Sequence, residues 1–475
     1  MARVGTVLGV SLVLGLVLAV GCGSESGGSE FGGGVGDGTG GGGNGNGGFG
    51  PGSSGDPNAN TPPCEGLQCK QVACAGGGTT SLSGKVYDPS GTVPLYNAIV
   101  YVPNAALTPF VDGVSCDKCG TAPSGKPITT ALTNARGEFK LDNVPVGVEI
   151  PLVVQIGRWR REVKLPAVPQ CVDTAVDAAN TRLPRNKAEG SIPKIAIATG
   201  GADSLECFFR KLGIDDAEFT NPGGAGRVNL YQGLRTGNDG ARIDTSTPNG
   251  GALWDNAAEL AKYDMVILSC EGAENNGTKS QPARDNLRGY LDAGGRVFAS
   301  HFHYTWFKNG ANPLPLTATW VNNGNDSTAN VNVDTSFAKG QAFSEWLQAV
   351  GASPGGPGIV PMTELRRNVT TVPGVGMGAD VSRRWLYTPN VEDTKFFSFN
   401  TPVGTPADQQ CGRGVYTDIH VSSGDLSGGT FPANCTTTGL TPQEKALLFL
   451  MMDLASCIQD DNKPPQPPPA TPTVK

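Results

Sequence analysis

Three short runs decide most of what this chain can fold into. Residues 194–200 (KIAIATG), 264–270 (DMVILSC) and 296–300 (RVFAS) are largely apolar, without the strict alternation that a half-wet strand requires. Strands buried on both faces read this way, and they occur where helices cover a parallel sheet from either side. Segments of helical period stand between them at residues 204–212, 253–263 and 281–293, the last stopped by Gly294-Gly295. This alternation predicts a three-layer α/β domain with a mainly parallel sheet over residues 186–460. A final helix at 443–458, carrying Leu447, Leu448, Leu450, Met451 and Leu454, should pack on that sheet.

Residues 64–185 follow a different rule. Leu82, Gly84 and Val86 alternate with polar neighbours, Pro89-Ser90-Gly91 makes a turn, and residues 98–102 (AIVYV) form the next apolar run. Further strands are expected around Phe139 and Leu141 and at residues 150–156 and 160–165, with turns at Gly137 and at 144–147. Short strands with regular turn signals and no helical period predict a small all-β sandwich, so the chain is multidomain.

The N-terminus points to export. Arg3 precedes an apolar stretch from Val4 to Val20, and residues 1–21 have the layout of a signal peptide. Residues 19–22 (AVGC) resemble a lipobox, which implies that Cys22 is acylated and holds the protein to a bacterial membrane, with its domains outside the cytoplasm. An uncleaved transmembrane helix fits less well, because the run is short and has no basic stop-transfer flank. Residues 22–63, dominated by Gly and Ser, lack the side chains to repay the entropy of ordering and read as a disordered tether, with a reach of roughly 35 Å for about 40 residues. Residues 461–475 read as a proline-rich, frayed tail. A formal charge of −7 with 38% hydrophobic residues carries no basic excess, which argues against a nucleic-acid partner.

The chain has 12 cysteines, which outside the cytoplasm read as disulfides. With Cys22 set aside the number is odd. Cys270, closing an apolar run, is the expected free thiol. Cys411 with Cys435 is the expected pair by local proximity, and Cys207 with Cys457 a second, although connectivity does not follow from sequence. Residues 116–119 (CDKC) also have the spacing of half a zinc knuckle, a reading that an oxidising compartment disfavours.

Two resemblances rest on these residues. Residues 83–104 (SGKVYDPSGTVPLYNAIVYVPN) with 133–147 (TNARGEFKLDNVPVG) resemble the carboxypeptidase regulatory-like domain, a transthyretin-like sandwich that implies an accessory or interaction role. The insert at 105–127, with Cys116 and Cys119, departs from that pattern. From residue 192 to 459 the order KIAIATG, YDMVILSCEG, LDAGGRVFASHFHYTW and GRGVYTDIHVSSG resembles the class I glutamine-amidotransferase-like fold, and within it the ThuA-like branch. That family needs a cysteine nucleophile after one strand and His-x-Glu after a later one. Here His301-Phe302-His303 and Asp418-Ile419-His420 stand in those places, so glutamine hydrolysis is not implied.

All three histidines of the chain therefore fall in two segments at the C-terminal ends of predicted strands, the edge at which open α/β sheets bind ligands. If those segments continue as strands, His301 with His303, and Asp418 with His420, point the same way. Four such groups suit zinc or another divalent ion, with Glu271 as a further ligand or base. The same residues can instead form a hydrogen-bonded network tying the strand ends together. Two functions follow: an envelope lipoprotein acting as a binding or structural module for a glycan or protein partner, or a metal-dependent hydrolase built on the His/Asp cluster.

Overall fold

A computed structural model of the chain describes residues 64–470, apart from 234–238, 322–323, 325–326, 375–377, 379–380, 390–392, 421–424, 426 and 437. The signal peptide, Cys22 and the glycine-rich tether lie outside the described residues. No helix among the described residues is long and apolar enough to cross a membrane.

The N-terminal part holds seven strands: β1 (Ser81–Lys85), β2 (Ile99–Pro103), β3 (Pro127–Leu132), β4 (Glu138–Asp142), β5 (Ile150–Ile156), β6 (Trp159–Leu165) and β7 (Asp173–Val176), followed by the single turn α1 (Ala178–Thr181). They make a three-stranded sheet in the order β4-β1-β7 and a four-stranded sheet in the order β3-β2-β5-β6. Leu82, Val86, Val100, Val102, Leu152 and Val154 are buried in one core shared by the two sheets.

The rest of the chain builds a ten-stranded mixed sheet. Its elements in order are β8 (Ile195–Thr199), α2 (Leu205–Lys211), β9 (Phe219–Thr220), β10 (Val228–Gln232), α3 (Gly251–Trp254), α4 (Ala257–Leu260), β11 (Met265–Leu268), α5 (Gln281–Asp292), β12 (Arg296–Ser300), α6 (Thr305–Lys308), β13 (Ser327–Val333), α7 (Ala338–Ala349), β14 (Ile359–Leu365), β15 (Arg383–Thr388), β16 (Asp393–Thr401), β17 (Gly412–Thr417) and α8 (Pro442–Ala455). The strand order is β14-β13-β15-β16-β17-β12-β11-β8-β10-β9. From β9 to β17 the neighbours are parallel, and from β17 to β14 they are antiparallel. The expected parallel sheet is thus the side from β17 to the edge strand β9, within which β8, β11 and β12 are buried along their whole length.

Local signals explain most boundaries. Thr441 caps α8 in a capping box with Glu444, and Pro442 opens the first turn, where its missing N–H costs nothing. The predicted single helix over 253–263 is two, because the Asn256 side chain accepts from Ala258 N and Glu259 N and starts a second helix in mid-segment. Phe449 of α8 stacks on Tyr96 of the N-terminal part at 5.4 Å, and Trp346 donates to the Pro94 carbonyl at 2.7 Å.

Five disulfides join Cys64 to Cys69, Cys74 to Cys171, Cys116 to Cys411, Cys119 to Cys457, and Cys207 to Cys435. Cys270 is left as a buried free thiol, as the odd count predicts. The expected pairs Cys411–Cys435 and Cys207–Cys457 do not form. Cys411 precedes β17 and Cys435 follows it, so a strand of roughly 20 Å separates the edges on which they lie. Cys457 sits with Cys411 on the N-terminal edge of the parallel strands, where Arg296 donates to the carbonyls of both Cys411 and Ser456. Cys116 and Cys119, in the insert between β2 and β3, are the partners that reach that edge.

The tail is also more ordered than its composition predicts. Pro468 is buried and its carbonyl accepts from Thr130 Oγ1 at 2.6 Å, so the described part of the tail lies on β3 rather than fraying.

Candidate functional site

Three parallel neighbours, β11, β12 and β17, end side by side, with Leu268 opposite Ala299 and Ser300 opposite Thr417. Just past those ends stand Cys270, His301 and His420, each almost completely buried. Cys270 Sγ, one imidazole nitrogen of His301 and one of His420 all lie within 4.8 Å of one another. His301 Nδ1 is the common neighbour, 3.3 Å from Cys270 Sγ and 3.2 Å from His420 Nε2.

The backbone reaches this geometry at some cost. His301 follows β12 with φ of 38°, a left-handed conformation unusual for a residue with a side chain. It persists because the turn is held from outside: Tyr416 OH donates to the His301 carbonyl at 3.0 Å. Cys270 is held as closely. Its carbonyl accepts from Ala202 N at 3.0 Å and its sulfur from Gly272 N at 3.3 Å. A Cβ on Gly200 would lie 2.1 Å from the Cys270 carbonyl oxygen, so only glycine fits there.

Charge is unevenly divided. Burial, reinforced by His420 and Arg366, holds His301 down at about 2, so its imidazole is neutral. Burial works against charge on His420 too, but Cys270, Glu364 and Asp203 override it and push the group up to about 10. His420 Nδ1 faces Glu364 Oε2 at 3.6 Å.

The other expected site residues go elsewhere. His303 does not converge with His301, because residues 301–304 form a 3₁₀ turn in which positions two apart diverge. Both its nitrogens are engaged, Nε2 with the Ser269 carbonyl at 2.8 Å and Nδ1 with Trp306 Nε1 at 3.0 Å, and burial holds it down at about 4. Asp418 lies past the end of β17 and turns away from His420. Its carboxyl accepts from Asn368 N at 2.9 Å and Asn368 Nδ2 at 2.8 Å, its Oδ1 lies 2.8 Å from the Tyr416 hydroxyl oxygen, and burial raises its pKa. Glu271 is committed to Lys279 Nζ at 2.6 Å and Asn275 Nδ2 at 2.9 Å. Of the His/Asp set expected from sequence, His301 and His420 therefore come together, while His303 and Asp418 are engaged with other partners. The third member, Cys270, was legible as a free thiol but not as part of the site; its signal was its place at the same sheet edge.

Tetrahedral zinc, with Zn–N of about 2.0–2.1 Å and Zn–S of about 2.3 Å, sets neighbouring ligand atoms roughly 3.3–3.6 Å apart. The two measured separations are close to that.

No family model matches the chain, and no curated protein does. Solved structures to which it is similar include a ThuA-like protein from Bacteroides uniformis, at 14% identity and a TM-score of 0.31, covering 56% of this chain and 93% of that one. A β-galactosidase from Rahnella sp. R3 is 13% identical with a TM-score of 0.25, over 55% of this chain and 31% of its own. A cytoplasmic protein from Salmonella typhimurium is 12% identical, also with a TM-score of 0.25, over 49% and 89%. Likeness at this level carries no argument about function, which rests on the geometry of Cys270, His301 and His420.

Proposed function

We propose that this chain is a lipid-anchored envelope protein that acts as a binding or structural module, and that its α/β part is built around one transition-metal ion held by Cys270, His301 and His420. The observation that carries the metal is the convergence of Sγ, Nδ1 and Nε2 at separations of 3.3 and 3.2 Å. One thiolate and two imidazoles suit zinc among the common ions. Three protein ligands leave the fourth tetrahedral position to water, as in catalytic sites, while the burial of all three groups favours holding the ion over admitting a large substrate. The N-terminal strands, read as a carboxypeptidase regulatory-like sandwich, supply the surface for a glycan or protein partner. Lipid on Cys22 supplies the anchor.

The test is metal analysis of the purified full chain beside Cys270→Ser and His420→Ala. About one equivalent of zinc should survive dialysis in the parent and be lost from both variants. Cobalt in place of zinc should give a thiolate-to-metal absorption band that Cys270→Ser abolishes. If the parent retains no metal, and added zinc leaves both its melting and the alkylation of Cys270 unchanged, the proposal fails, since an ion bound only by the folded form must stabilise it.

A further inference from the structure

We infer that Glu364 is the positioning residue of this centre, its carboxylate fixing the ring of His420 so that Nε2 points at Cys270 and His301; the inference rests on the metal reading above. Glu364 lies near the end of β14, where the pairing with β13 slips. Ser327 faces Leu365 but Ala329 faces Met362, so β14 carries one residue more than its partner over this stretch. That is a β-bulge, a device that re-aims a side chain at a sheet rim. Glu364 has φ of 56°, a left-handed backbone that a residue with a Cβ adopts only under constraint. The alternation of buried and exposed positions breaks here too, with Thr363 and Glu364 both outward.

The constraint is visible. Gln443, in the first turn of α8, accepts from Thr363 N at 2.8 Å through Oε1 and donates to the His420 carbonyl through Nε2. One buried amide thus ties the bulge to the backbone of the ligand. The bulge in turn sets Glu364 Oε2 3.6 Å from His420 Nδ1. His420 is almost wholly buried while the Glu364 side chain is 52% exposed, so the carboxylate reaches inward from the rim. A carboxylate on the far nitrogen of a ligating histidine fixes its tautomer and orientation, and its loss typically weakens metal binding about ten- to a hundredfold. Strain with no such purpose would be relieved by glycine, which adopts positive φ freely.

The experiment is zinc affinity of the full chain, read by competition with a chromophoric chelator, for the parent, Glu364→Ala, Glu364→Gln and Glu364→Gly. Glu364→Ala should bind zinc at least tenfold more weakly, with Glu364→Gln between it and the parent because an amide oxygen can still accept from Nδ1. Glu364→Gly separates positioning from folding: relieved of the left-handed strain, it should melt higher than Glu364→Ala without metal, yet lose the same affinity. If the parent binds zinc and the variants bind within threefold of it, Glu364 does not position the centre, while the metal reading stands. If the parent binds neither zinc nor cobalt, the metal reading fails and this inference with it.

Discussion

Replacing Glu206 by Gln should stabilise the protein, by an amount that grows with pH. Glu206 lies in the first turn of α2, 1% exposed, and neither carboxylate oxygen has a hydrogen-bond partner among the described residues. Lys211, in the last turn of the same helix, is taken by Asp425 at 2.5 Å and Glu444 at 3.2 Å. Burial, with the carboxylates of Asp203 and Asp425 pressing the same way, pushes Glu206 up from 4.5 to about 8. A carboxyl whose folded pKa lies above its unfolded value favours the fold while protonated and loses that contribution as pH rises between the two values. Each pH interval of one between those values is worth about 1.4 kcal/mol, so roughly 4–5 kcal/mol is lost between pH 4.5 and 8. Gln has nearly the same shape, never ionises and breaks no hydrogen bond of this carboxylate. The two proteins should therefore be nearly equal in stability near pH 4.5 and diverge by a few kcal/mol at pH 8. Urea unfolding with disulfides intact, at four pH values in the same chelating buffer, measures this. Parallel stability profiles across the range, or a variant that is weaker at pH 8, would refute the reasoning.

Three other outcomes are expected. Cys22→Ser should move the protein from the membrane pellet to the soluble fraction; a variant still wholly in membranes at high salt would place the anchor elsewhere. Arg413, fully buried, pairs with Asp453 at 3.1 Å and with Asp461, beside Lys339. Arg413→Ala leaves those carboxylates undercompensated in the interior and should cost about 3–5 kcal/mol in denaturant unfolding; a loss under about 1 kcal/mol would mean that Lys339 alone satisfies both. Gly200→Ala should displace the Cys270 carbonyl, costing about 1–3 kcal/mol of stability and the retention of zinc together; a variant that melts and binds as the parent does would show that the strand ends can shift freely.

What could be read from the sequence divides along a physical line. β8, β11 and β12 are nearly continuous apolar runs, and burial on both faces needs no partner to be recognised. The antiparallel half of the sheet gave no such signal: β14 is exposed at Pro361, Thr363 and Glu364, and its place depends on strands far away in sequence. The site failed at a finer level. Reading His301 with His303, and Asp418 with His420, as pairs on one face assumes that the strand period continues, but the ladder stops at Ser300 and Thr417. Beyond those residues direction is set by φ at His301, by Tyr416 on its carbonyl and by Gln443 on His420, all contacts of long range. Which side chains meet is decided by which strands are neighbours, and Cys270 joins His301 because β11 lies beside β12.

The disulfide pattern bears on that thiol. Cys116–Cys411 and Cys119–Cys457 staple the N-terminal edge of the sheet, while Cys270 stands past the C-terminal end of β11, roughly a strand length away. Exchange between a thiol and a disulfide requires thiolate attack in line with the S–S bond, and therefore access. Cys270 is far from those two bridges, but Cys207–Cys435 lies on its own side of the sheet, so what shields the thiol is its burial. Beside five disulfides among the described residues a free cysteine is kept from exchange by such burial, and burial alone could be served at lower risk by Ala or Val. Sulfur at this position is accounted for when it has a task that those side chains cannot perform. With His301 Nδ1 at 3.3 Å and His420 within the same cluster, coordination of an ion is the task its surroundings fit best.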